Sequence, residues 1–170
     1  MPFQLRRIVT GHDGEGLAVV KADEILKSEP RRPGYDALVA WCTDKLPCDN
    51  NEDAYNAGRP GKKGSRVLLR LGEMKPGDHT PVMHRTETLD YAVILSGRME
   101  LSLDSGQVEV LEAGDIVIQR GTNHAWRPVG SEPVRVLFVL IDAEPVSVNG
   151  RQLGDFLDNF GGAVSPMPEE

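Results

Sequence analysis

Aromatic residues are scarce in this chain: Phe, Trp and Tyr make up 5% of its 170 residues, and Trp41 and Trp126 are its two tryptophans. A core with so few rings is filled by aliphatic side chains, so each tryptophan needs a specific reason for its place. Cysteine is as sparse. Cys42 and Cys48 lack the C-x-x-C spacing of redox and zinc motifs, and two thiols suit a reducing compartment. No apolar run approaches the ~20 residues that span a bilayer, and Met1 to Arg7 lack the continuous apolar stretch of a secretory signal. The expected location is the cytoplasm, with no membrane partner. Clustered positive charge is also missing. The net charge is −7, and the short basic pairs Arg31-Arg32 and Lys62-Lys63 lie beside Pro or Gly as solvated loops. A protein that grips nucleic acid by its phosphates needs the opposite balance.

What is present is punctuation. Gly (18) and Pro (12) recur along the whole length, and between them lie short runs rich in Val, Ile and Leu. That pattern predicts an all-β domain of many short strands. The expected strands are 4–9, 16–21, 37–43, 65–73, 89–95, 98–103, 107–111, 115–119, 124–128 and 134–141. Thr10 to Gly16 should close an N-terminal hairpin, and Ser96-Gly97 and Asp104-Ser-Gly106 read as tight turns where Gly supplies positive φ. Residues 1–64 are expected to pack on a barrel core at 65–145, with 146–170 as a short C-terminal helix and tail. Leu153, Phe156, Leu157 and Phe160 carry the helix expectation, because they share one face at helical spacing. The stretch 46–64 holds Pro47, Pro60, Asp49, Glu52 and Asp53, and reads as a long polar loop, either a lid or a plain insertion.

Two segments carry the chemistry: Met83 to Gly97, and Gly114 to Pro128. In an extended chain His84, Thr86 and Asp90 share even parity and point to one face, continued by Ala92 and Ile94. His124 and Trp126 likewise share a face. Two imidazoles and a carboxylate converging inside a barrel have the composition of a 2-His-1-carboxylate site, which suits non-haem Fe(II).

These segments resemble the two motifs of the cupin superfamily, G-x5-H-x-H-x3,4-E-x6-G and G-x5-P-x-G-x2-H-x3-N. Aligned on Gly97, the chain has His84 at the first His, Thr86 at the second and Asp90 at the Glu. In the second motif Gly114 matches the opening Gly, Gly121 the inner Gly and His124 the third ligand, while Pro128 stands where Asn is usual. The resemblance covers roughly residues 65 to 142 and implies a double-stranded β-helix, or jelly-roll barrel. His-Arg-Thr-Glu-Thr-Leu-Asp-Tyr with Gln-Arg-Gly-Thr-Asn-His-Ala-Trp looks like a subgroup of small single-domain cupins. The departures weaken the implied metal set. A Thr hydroxyl is a poor ligand beside imidazole, and Asp is one methylene shorter than Glu. Three ligands still suffice for a catalytic centre, so two readings stand side by side. In one, His84, Asp90 and His124 hold a divalent metal (Fe, Zn, Mn or Ni). In the other, they line a metal-free polar pocket in which Asp90 acts as an acid or base. His79 has the wrong parity and reads as a surface residue.

Trp126 is expected to line the pocket or plug the core, and Trp41 has weaker support as a second wall. Arg70, inside Val-Leu-Leu-Arg-Leu, is either an anion anchor in the barrel or an outward charge, and Tyr91 and Gln119 are further candidate pocket groups. Arg85 and Arg127 have outward parity. Two functions follow. One is an enzyme on a small organic molecule, aromatic or polyketide-like, performing metal-assisted oxygenation, decarboxylation or isomerisation, or metal-free acid–base chemistry, through His84, Asp90 and His124. The alternative is a non-catalytic small-molecule binding barrel. A homodimer is expected, with the hairpin at 4–21 offering an apolar edge to a partner.

Overall fold

Alternating burial in strands joined by glycine turns dictates the architecture. The computed structural model describes residues 2–43, 45–48, 50, 66–77, 81–154 and 156–157. Most of the polar loop at 46–64, His79, Phe160 and the residues after Leu157 lie outside them. Among the described residues there are fifteen strands and no helix. A hairpin, β1 (Gln4–His12) and β2 (Ala18–Lys27), is followed by β3 (Glu29–Arg32), β4 (Tyr35–Thr43), β5 (Val67–Met74), β6 (His84–Arg85), β7 (Thr88–Ser96) and β8 (Arg98–Leu103). Then come β9 (Val108–Glu112), β10 (Ile116–Arg120), β11 (His124–Val129), β12 (Val134–Asp142), β13 (Val146–Val148), β14 (Arg151–Leu153) and β15 (Phe156–Leu157).

Two antiparallel sheets form the double-stranded β-helix that the sequence implies. One has the order β10-β7-β12-β5-β4-β3 and the other β15-β6-β11-β8-β9. Their inner faces meet in one apolar cluster. Met74, Ala92, Ile94, Val134, Val136 and Phe138 come from the first sheet, and Met99, Leu101 and Trp126 from the second. Ile94, Met99, Val134 and Val136 are all below 2% exposed, so this layer carries most of the burial that holds the sheets together. The Ser96-Gly97 turn needs its glycine: φ is +77°, and a Cβ there would lie 2.9 Å from the Pro133 carbonyl oxygen and from Val134 Cγ2.

The outer face of the six-stranded sheet is covered by the N-terminal hairpin. Phe3, Leu38, Ala40 and Leu71 form a second cluster, joined by Leu5 and Leu26 of the hairpin. The turn after β1 is fixed by Asp13, whose Oδ1 accepts from the backbone N–H groups of Glu15 and Leu17, both at 2.9 Å.

The expected C-terminal helix is not formed among the described residues. Instead β14 pairs with β13, and β15 runs antiparallel to β6, with Phe156 opposite Arg85 and Leu157 opposite His84. β6 presents a free edge with unpaired N–H and C=O groups, and a strand satisfies that edge where a helix would leave it bare. Gly150 and Gly154 also punctuate the segment too closely for a stable helix. No helix of the described residues is long and apolar enough to cross a membrane.

Candidate functional site

β6 and the start of β11 set the centre of the site. His84 and His124 are direct cross-strand partners, and their ring centroids lie 4.3 Å apart at 47°. Each ring folds back on its own chain. Nδ1 of His84 is 2.9 Å from the Val82 carbonyl oxygen, and Nδ1 of His124 is 2.9 Å from that of Thr122. A carbonyl only accepts, so Nδ1 carries the proton in both rings and Nε2 keeps a free lone pair. Burial holds both rings neutral. His124 is 3% exposed, and desolvation followed by the field of His84 lowers its pKa to about 4. His84 is also lowered, by burial first, then by the guanidiniums of Arg32 and Arg70. Trp126 meets the edge of His124 at 5.6 Å and Phe138 at 6.0 Å, so it walls the imidazole pair as well as filling the core.

Asp90 sits on the opposite sheet, 8% exposed, in register with Gln119 of β10 and Leu140 of β12. Burial raises its pKa, partly offset by a hydrogen bond from Thr88 and the field of Arg70. Its Oδ1 has no hydrogen-bond partner among the described residues. Thr86 Oγ1 lies 2.7 Å from Thr88 Oγ1, so a chain of hydroxyls leads to the carboxyl. Asp90 and His84 feel one another's charge, yet no three His, Cys, Asp or Glu side chains come together to hold a metal among the described residues. The imidazole pair and the carboxyl are two subsites of one interior.

Arg70 faces that interior. It pairs with Phe138 across β5 and β12, its guanidinium carbon stands 5.3 Å over the Phe138 ring, and its buried Nε has no partner among the described residues. Gln119 is 4% exposed and donates to both the carbonyl and the hydroxyl of Thr122, bracing the turn that presents His124. Two expected wall residues lie elsewhere. A register shift between Val39 and Trp41 puts Trp41 opposite Leu69, on the outer face under the hairpin, with Arg7 5.9 Å from its ring. Tyr91 is 37% exposed beside Ile118, because its parity is opposite to that of Asp90.

Sequence reasoning did not single out Arg32, which it reads as solvated beside Pro33-Gly34, and the residue is exposed, in β3 rather than in a loop. The chain turns tightly there, with Gly34 at φ +74°, and Arg32 comes to stand 5.3 Å over the Tyr35 ring at the end of the barrel. A cavity of about 200 Å³ is lined by Arg85, Thr86, Thr88, Arg120, Glu144 and Val146.

The Cupin domain family matches residues 70–140, which span Arg70, both histidines, Asp90 and Trp126. Oryzines biosynthesis cluster protein J of Aspergillus oryzae is 33% identical over 165 residues, covering 91% of this chain and 92% of its own. Cupin-domain-containing oxidoreductase fogC of Aspergillus ruber is 36% identical over 164 residues, covering 89% and 79%. Among solved structures, the polyketide cyclase RemF from Streptomyces resistomycificus aligns at 24% identity over 69% of this chain and 72% of its own, with a TM-score of 0.47.

Proposed function

This chain belongs to the cupin superfamily, and we propose that its barrel binds a small organic molecule and moves a proton on it. His84 accepts the proton, with neutral His124 beside it, and Asp90 donates one. The observation that carries this reading is the pair of Nδ1-anchored, neutral imidazoles 4.3 Å apart, each with a free Nε2. Neutral His84 with its free Nε2 can accept a proton, whereas His124, with its pKa lowered to about 4, stays neutral beside it, and burial shifts Asp90 toward its protonated form. Trp126 and Phe138 offer an apolar wall for the body of the ligand. The relatives bear names of two kinds, oxidoreductase and biosynthesis cluster protein, and both suit a barrel that takes small organic molecules.

A three-ligand metal centre does not fit the described residues. They bring two imidazoles together and tie the carboxyl to hydroxyls on another strand. Acid–base chemistry by the protein's own groups is therefore the reading they support. The test is proton exchange in D₂O on a panel of enolisable 1,3-dicarbonyls and phenols, followed by NMR, with elemental analysis of protein purified without chelator. We expect exchange that falls at least about 100-fold in His84→Asn and in Asp90→Asn. Binding without exchange would leave the non-catalytic barrel. Exchange that requires a stoichiometric metal would overturn the metal-free chemistry.

We also infer a homodimer through the hairpin, whose Ile8, Val20 and Ile25 are 49%, 60% and 55% exposed. A single monomeric species in sedimentation at micromolar concentration contradicts this.

A further inference from the structure

Seven arginines among the described residues pair with a carboxylate: Arg6 with Asp23, Arg7 with Glu24, Arg31 with Glu29, Arg66 with Asp142, Arg98 with Glu112, Arg127 with Glu100 and Arg135 with Glu73. Arg70 on the inner face and Arg32, exposed on the edge strand β3, have none within ion-pair distance among the described residues. Arg70 is held against Phe138 with its buried Nε unpartnered among the described residues, and Asp90, which feels its charge, likewise leaves its own Oδ1 unpartnered. A partly buried cation kept without a counter-charge costs folding energy, and a bound anion would recover it.

The path from Arg32 to Arg70 is short and built of packed groups. Tyr35 lies partly buried on the inner cluster, with Arg32 over one part of its ring. The rest of the ring lies on Gly72, where a Cβ would be 2.7 Å from Tyr35 Cε2 and 2.9 Å from its hydroxyl. Gly72 is two residues from Arg70 on the same face of β5, a spacing of about 7 Å. Both guanidiniums also disfavour a proton on His84, which places their fields at that ring.

We propose that Arg32 and Arg70 form a two-point clamp for the carboxylate of a small organic acid, Arg70 from the barrel floor and Arg32 from its lip. The clamp rests on the barrel interior being the ligand site, and it names the substrate class. A planar guanidinium fork matches a carboxylate, and the apolar body of the acid then lies on Trp126 and Phe138 with its reactive carbon beside the imidazoles.

Trp126 supplies the readout. Trp41→Phe removes the tryptophan that lies outside the barrel and leaves Trp126 as the sole reporter. Benzoate and cinnamate are titrated against their amides, benzamide and cinnamamide, by Trp126 fluorescence and by the imidazole resonances of His84 and His124. The acids should bind at least about tenfold more tightly than the amides. Arg70→Gln and the exposed-site variant Arg32→Gln should each lose about tenfold for the acids and little for the amides. Arg70→Lys should restore part of the loss, and the double variant should lose less than the two effects multiplied, since both groups grip one carboxylate. Equal binding of acid and amide, or acid affinity unchanged in both arginine variants, overturns the clamp and leaves the barrel as a ligand site. If neither acids nor amides perturb Trp126 or the imidazoles, the clamp and the barrel reading fail together.

Discussion

Neutral, buried His124 should make the fold sensitive to mild acid. Its pKa falls from 6.5 to about 4, a depression caused first by desolvation and then by the neighbouring His84. The unfolded chain takes up a proton near pH 6.5, and the native ring refuses it until about pH 4. The stability this neutral ring contributes is therefore complete above pH 6.5 and drains away as pH falls toward 4, at about 1.4 kcal/mol per unit and about 3 kcal/mol in all. His84, also lowered, acts in the same direction. Asp90 acts in the opposite one: its raised pKa means that the native state binds a proton first, so folding gains as pH falls through that window. His124→Asn isolates the term, because the amide still offers a donor to the Thr122 carbonyl and does not titrate. Urea unfolding followed by circular dichroism, from pH 8 to 4.5, should show the wild type losing its advantage over the variant as pH falls. Curves that stay parallel across this range would refute a neutral, buried His124.

Three further outcomes follow from the packing and the hydroxyl chain. Thr88→Val removes the donor that favours the charged form of Asp90, so its carboxyl pKa should rise further in a ¹³C NMR titration, with Thr88→Ser staying near wild type. Gly72→Ala drives a methyl into the Tyr35 ring, and should cost about 1–3 kcal/mol in urea unfolding, with Gly14→Ala, where an added Cβ meets nothing within 4 Å, as a milder control. Met99→Ala empties a site at 0% exposure between the two sheets and should cost about 3 kcal/mol by the same measurement.

The barrel was legible because its strands obey a period of two and its turns are written in glycine. β12 was expected at 134–141 and is found at Val134–Asp142. The imidazole pair was legible for the same reason, since parity and the two motifs place His84 and His124 on inward faces. Three features were hidden. The free edge of β6 is a property of the assembled sheet, so Leu153, Phe156 and Leu157 read as a helical face when two of them form the strand that covers that edge. The shift between Val39 and Trp41 changes the phase of β4 midway, and no local residue announces it. Arg32 was discounted because charge beside Pro-Gly is usually solvated, and only the tight turn brings it back over Tyr35. Tyr91 is different. Its outward parity was readable beside Asp90.

One substitution organises the site. Where the cupin motif has its second histidine, this chain has Thr86. The hydroxyl does not join the imidazole pair. It bonds Thr88, and Thr88 donates to Asp90, which binds the carboxyl into a chain of hydroxyls on β7 and away from the rings on β6 and β11. A third imidazole at this position would have no such reason to face the carboxyl's strand. On the proposed reading, the replacement separates the imidazole pair from a carboxyl with a raised pKa on the facing sheet, which also carries Arg70. Thr86→His is therefore the sharpest perturbation of the idea. If the hydroxyl chain is what separates the two subsites, the variant with the added imidazole should bind Zn or Fe much more tightly than the wild type in equilibrium dialysis. Equal metal affinity in the two proteins would show that Thr86 does not decide the chemistry of this barrel.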